Sequence, residues 1–318
     1  MFKKFYLVVF VLLISISAAN AQNGRDGDWG NGGGNNNNCR GGGGGGDDRD
    51  SNYGGGYGSR RLRIVGLTND VAQRLICFDE FSPSRATTIG TISGLVMDTK
   101  LIGIDFRPAT GNSGGGGDLY GLGDQGGIYT LNLMTAQAIF KSRLNVALSG
   151  TFFGVDFNPV PDRLRIVSDT GQNLRANVDT GATTVDGILN YPGPPVVTAT
   201  GITGAAYTNN DADVNTATTL YTIDSMLDQV NIQTPPNAGT QNTTGKLTVD
   251  TTPNVGFDIY STIRNNTTVN VEGFASLTSA DNSVRFYSIT LFTGKAVSRG
   301  SFSNQNRVVD IAIPLNQR

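Results

Sequence analysis

A short apolar phrase with one aspartate at its centre recurs along this chain at a nearly constant interval, and no other feature restricts its fold as much. LIGIDFRP at 101–108 is the fullest copy; FGVDFNP follows at 153–159, GAAYT at 204–208, GFDIY at 256–260 and VVDIAIP at 308–314. Laying the phrases over one another aligns Asp105, Asp156, Ala206, Asp258 and Asp310. Successive copies lie about 51 residues apart, a period that marks units stacked in a row or a ring, each unable to bury its apolar face alone.

Between the phrases the chain reads as short alternating strands separated by Gly, Asp, Asn or Pro, as a meandering antiparallel sheet requires. Glu80 and Glu272 are the only glutamates, and Thr, Asn, Ser and 43 glycines supply the polar surface, so the composition is all-β. Four of the five units carry four strands. Blade two, for example, reads 101–108, 118–123, 127–133 and 138–143, and blade four reads 202–208, 219–224, 229–233 and 245–249. The first unit, 63–68, 75–79 and 86–92, lacks its leading strand, whereas VVDIAIP at the C-terminus has no unit of its own. Lending the last strand to the first blade closes a ring without free radial edges. The spacing therefore predicts a five-bladed β-propeller over 61–318. A parallel β-helix is the competing architecture, but its coils are shorter and need no C-terminal strand to finish an N-terminal unit.

The phrases in their fuller context resemble a bacterial family known only as a domain of unknown function, number 4394. The stretches that carry the resemblance are GIDFRPATG at 103–111 and GVDFNPVPDRLRIVSDTGQNLRANVDTG at 154–181. They continue with GAAYTN at 204–209, LYTIDSMLDQVNIQTPPNAGTQNTTGKL at 220–247 and GFDI at 256–259. The resemblance spans essentially 62–315 and implies a propeller-like fold. It brings no activity, ligand or catalytic residue. The glycine insert at 114–117 departs from the family pattern, as does the N-terminal tract.

Residues 1–21 read as a secretory signal. Lys3 and Lys4 precede an apolar core over 5–16, and Ala19-Asn20-Ala21 forms a small-x-small cleavage site. That core holds roughly a dozen apolar residues against the ~20 that a span needs, so no membrane span is expected after cleavage. A linker rich in Gly and Asn is expected over 22–60, because its glycine runs cannot repay their backbone entropy by burial. An exported chain, secreted or periplasmic, permits disulfides. The two cysteines, Cys39 and Cys77, either pair or stay as separate thiols.

The chain has no histidine, which removes His-based triads, imidazole bases and His-ligated zinc. With a net charge of −2 and no long basic run, it carries no footprint for nucleic acid. No cofactor motif is present.

Three places remain where chemistry could sit. Asp105, Asp156, Asp258 and Asp310 converge near the axis, because the first strand of a blade lines the central channel. They either lock neighbouring blades by accepting hydrogen bonds, hold an ion or water cluster, or act as acid and base on a glycosidic bond. Their near-identical contexts favour the lock, since a catalytic pair needs two unlike environments. The second place is the hairpin of blade three, where Arg163, Arg165 and Arg175 have no counterparts in blade two and offer an anion-binding surface. The third is the stretch QTPPNAGTQNTTG at 233–245, read as a long binding loop. Asn242 and Asn266 begin glycosylation sequons.

The expectation is a monomeric, exported, non-catalytic binding or cell-envelope-associated module whose ligand the sequence does not name, with a glycan or envelope polymer as the candidate partner. A hydrolase using the channel carboxylates is the alternative.

Overall fold

The computed structural model describes residues 39, 61–110, 117–209, 213, 216, 218–265 and 267–317. The expected signal segment and, except for Cys39, the expected linker lie outside the described residues, as do most of the glycine insert and Asn266.

Five four-stranded antiparallel sheets stand around one axis as a five-bladed β-propeller. Blade two runs inner to outer as Leu101–Arg107, Asp118–Gly123, Gly127–Leu131 and Ala138–Arg143. Blade three is Phe153–Asn158, Arg163–Ser168, Asn173–Ala176 and Thr183–Val185. Blade four is Ile202–Tyr207, Leu220–Asp224, Gln229–Gln233 and Gln241–Lys246, and blade five is Val255–Arg264, Thr267–Thr278, Val284–Ile289 and Ala296–Ser301. Blade one joins both ends of the ring: Val308–Ala312 is its inner strand, followed outward by Arg63–Thr68, Arg74–Asp79 and Ser82–Thr91. Val65 pairs with Ala312 and Leu67 with Asp310 across that closure.

The period-two alternation of each strand sends side chains to both neighbouring blades, so the core is divided into one layer per junction. Val65 and Leu67 meet Ile104 and Phe106 between blades one and two. Tyr120 and Leu122 meet Val155 and Phe157; Val167 meets Ile202 and Tyr207; Tyr221 and Ile223 meet Phe257 and Ile259. Ile64 and Phe78 meet Phe274 and Phe286, which seals blade five against blade one. No single blade could exclude water from both its faces, and the repeat therefore folds as a closed set.

Near the axis the inner strands come too close for side chains at some positions. A Cβ on Gly154 would stand 2.6 Å from the Ala205 nitrogen, and one on Gly256 would stand 2.6 Å from the Asp310 Cα. Glycine at this level, at 103, 154, 204 and 256, is thus what lets four of the five inner strands crowd the axis.

Several strand boundaries differ from the sequence expectation; in blade one, for example, the outer strand begins at Ser82 rather than at 86. The outer strand of blade four is Gln241–Lys246 rather than 245–249, and the long loop shrinks to residues 234–240 around the 3-10 turn Pro236–Ala238. The strand's burial pattern is mostly exposed and its sequence QNTTGK is polar, so no apolar alternation marked it. In blade three, where the alternation predicts an outer strand over 183–189, the strand stops at Val185, and the next residue, Asp186, turns inward to the arginines described below. Cys39 and Cys77 form a disulfide with Cα atoms 5.8 Å apart, fastening residue 39 to the third strand of blade one.

Candidate functional site: the channel carboxylates and the channel mouth

The inner-strand aspartates face the next blade around the ring. Asp105 accepts the N–H of Phe157 on Oδ2 at 2.7 Å, and Asp156 accepts the N–H of Tyr207 at 3.1 Å. Asp258 accepts the N–H of Ile313 at 2.6 Å, which joins blade five to blade one. In each case the donor follows the residue at the equivalent position: Phe157 follows Asp156, Tyr207 follows Ala206, and Ile313 follows Ala312. The rung at this height therefore consists of Asp105, Asp156, Ala206, Asp258 and Ala312. The sequence alignment of Asp310 with Asp105 is off by two residues. Asp310 pairs with Leu67 as Gly103 pairs with Leu122, so it stands one rung higher, level with the close-approach glycines. From there it accepts the N–H of Ile104 at 2.7 Å and locks blade one to blade two.

The two alanines explain the remaining bonds. Ala312 and Ala206 cannot receive the N–H groups of Phe106 and Ile259, which would be their targets. Asp105 takes Phe106 on its other oxygen at 2.7 Å, and Asp258 takes Ile259 at 2.6 Å. At the blade four–five junction, where Ala206 leaves no carboxylate, the N–H of Asn209 instead meets the Ser261 hydroxyl at 2.8 Å.

All four aspartates are buried, and among the described residues no cation pairs with them. Burial, with the charge of Asp258 beside it, pushes Asp105 well above the usual carboxylate range, against the N–H bonds from Phe157 and Phe106. Asp156 is pushed up by burial and then by Asp105 and Asp258. Burial raises Asp258 to about 7 and raises Asp310 as well, with their N–H bonds opposing. At neutral pH the cluster thus shares protons rather than carrying four separate charges. One oxygen each of Asp105, Asp156 and Asp258 lies within 4.8 Å of the others, a spacing that suits the oxygens around a hard cation. Both Asp105 oxygens and both Asp258 oxygens already hold N–H donors, so these carboxylates serve first as ties between blades.

Of the three arginines of blade three, Arg165 is drawn into the ring. Arg165 is only 1% exposed and bonds the Tyr207 hydroxyl, Asn173, Asn237 and Asp186. Arg175 lies directly opposite it across the strand pair, a like-charge neighbour that would repel. Asp186 resolves this by taking Arg165 at 2.6 Å and Arg175 at 2.7 Å. Burial works to raise Asp186, but the two guanidinium groups outweigh it and hold the carboxyl below its ordinary value. Arg163, half-buried, donates to the Pro161 and Asp162 carbonyls. An anion arriving at Arg165 would have to displace Asp186.

Above the carboxylates, where the inner strands enter the channel, lies a funnel of about 280 Å³. Ile102, Phe153, Val255 and Val309 line it from four strands, and Asn69, Lys100, Thr151 and Asn254 lie around them. Reasoning from residue type missed this site, because its members share no motif. Their only common signal is position: most come just before, or at the start of, an inner strand.

The family model described as "Domain of unknown function (DUF4394)" matches residues 74–312. No curated protein matches the chain. Among solved structures, a Bacteroides thetaiotaomicron protein of unknown function is similar at 11% identity and a TM-score of 0.42, over 58% of this chain and 45% of that one. The WD40 domain of Toxoplasma gondii coronin is similar at 12% identity and a TM-score of 0.39, over 76% of this chain and 58% of that one. The glutaminyl cyclase of Myxococcus xanthus is similar at 15% identity and a TM-score of 0.35, over 70% of this chain and 77% of that one. The chain thus spans about half the length of the first two.

Proposed function

Of this chain, which belongs to the family of the domain of unknown function DUF4394, we propose that it is a non-catalytic binding module that receives its ligand in the funnel at the channel mouth. The observation that carries this reading is the funnel itself, a concave site to which blades one, two, three and five all contribute. The non-catalytic part is supported by the carboxylates beneath it, which are buried and bonded to backbone N–H groups. In this reading the chain is exported, with 1–21 as its signal and 22–60 as a linker. The Cys39–Cys77 disulfide supports that setting, since such bonds persist in oxidising compartments.

Methyl NMR of the full chain against a mixed library of neutral, anionic and cationic fragments tests the reading. Shifts at Ile102, Val255 and Val309 are expected. Silence at these methyls with every fragment overturns it. A glycan-hydrolysing activity that disappears in a folded Asp156→Asn variant would favour the hydrolase instead.

A further inference from the structure

Resting on that reading, we infer that the funnel's ligand is a compact apolar group carrying a single carboxylate, with Lys100 as the partner of that charge.

Size and lining set the first limit. A volume of about 280 Å³ lies at the low end for small-molecule sites, enough for one side-chain-sized group rather than an extended chain. The lining is mixed: Leu101, Ile102, Phe153, Val255 and Val309 of the inner strands supply its apolar part, beside the polar groups of Asn69, Lys100, Thr151 and Asn254. Burying an apolar group against that part of the lining removes its surface from water and is favourable.

Charge sets the second limit. Lys100 is the only ionisable side chain in the lining, and it makes no ion pair among the described residues. The acids around it are occupied. Asp124 feels Lys100 but accepts the N–H and the hydroxyl of Thr99. Asp70 pairs with Arg74 at 2.6 Å, and Asp169 accepts the N–H of Thr151 at 2.9 Å. A carboxylate at the rim would therefore meet Lys100 as the one ionisable side chain of the lining, in a field that Asp124 shares.

Orientation follows from what lies below. Asp310 directly follows Val309, so a ligand carboxylate that went down the channel would approach the acidic rungs. The favourable pose keeps the carboxylate at the rim beside Lys100 and sends the apolar body toward Phe153 and Val309. This chemistry has two sources: a free small acid, or the C-terminal residue of a polypeptide.

The test uses 3-phenylpropionate, its amide and its amine, and a hexapeptide ending in phenylalanine as acid or amide. Titrations are followed at the funnel methyls in the parent and in Lys100→Gln, a substitution at an exposed position. The acid is expected to bind at least tenfold tighter than the amide, Lys100→Gln should erase that preference, and added salt should weaken the acid alone. Binding by the free acid or by the peptide acid identifies the source, and both support the inference. Equal binding of acid and amide, an acid preference that survives Lys100→Gln, or tighter binding of the amine overturns the ligand class while the funnel remains a binding site. If no probe moves the funnel methyls, the binding reading falls with it.

Discussion

The Asp105 carboxylate accepts the backbone N–H of Phe157, on the inner strand of the next blade, at 2.7 Å. This bond ties two sheets that share no ladder hydrogen bonds, and its relatives from Asp156, Asp258 and Asp310 tie three further junctions. The repeated aspartate is the fastener of the ring, set where side chains of adjacent blades converge.

Asp105→Ala should therefore destabilise the propeller by about 1–3 kcal/mol, the cost of leaving buried donors unpaired. Asp105→Asn keeps one acceptor and should cost less. Ala206→Asp would place a fifth carboxyl at the junction that lacks one, where Ile259 is already served by Asp258; it should add repulsion and no stability. Denaturant titrations of the three variants check this. An Asp105→Ala protein as stable as the parent would mean that the N–H groups find water instead.

The buried carboxyls also set a pH dependence. Their folded-state values are raised, so the folded protein binds protons that the unfolded chain releases. That stabilisation is complete below the ordinary carboxylate value and is lost as pH rises through the folded one, which for Asp258 is about 7. Asp186, held low by its arginines, acts in the opposite direction but only at more acid pH. Melting temperature should therefore fall between pH 5 and pH 8, and Asp258→Asn should flatten the slope. A parent whose melting point rises over that range would contradict the shared-proton cluster.

Arg165 and Asp186 form a buried pair, with side chains 1% and 5% exposed. Asp186→Ala leaves Arg165 and Arg175 facing each other and should cost about 3–5 kcal/mol, as removal of one partner of a buried pair does. The double variant Arg165→Met/Asp186→Ala should recover part of that loss, which a double-mutant cycle by urea unfolding would measure. A single variant indistinguishable from the parent would show that water replaces Asp186 and that the hairpin is an open surface after all.

The fold was legible because it is periodic. Repeated inner strands, alternation of period two and an orphan strand at the C-terminus leave few ways to bury five sheets, and the ring closed by Val308–Ala312 is the one adopted. The aspartates were legible as a set for the same reason. Their register was not: VVDIAIP aligns by its aspartate, yet the pairing of Leu67 with Asp310 moves that residue up one rung and puts Ala312 beside Val65. Letters can be slid by two positions without breaking a period-two pattern; hydrogen bonds cannot.

What the chain alone determined is the number of blades, their all-β character and the convergence of acidic residues on the axis, since these depend on period and residue type. What only the tertiary structure decided depends on neighbours distant in sequence. The Cys39–Cys77 bond, left open by two cysteines in a long chain, needed their Cα atoms to come within 5.8 Å. That Arg165, unlike Arg163 and Arg175, is buried depends on the blade four stretch that contains Asn237 and on the inward turn of Asp186. The funnel exists only where Lys100, Phe153, Asn254 and Val309 meet. They come from three strand entries and the strand that closes the ring, and closure of the ring is what brings them together.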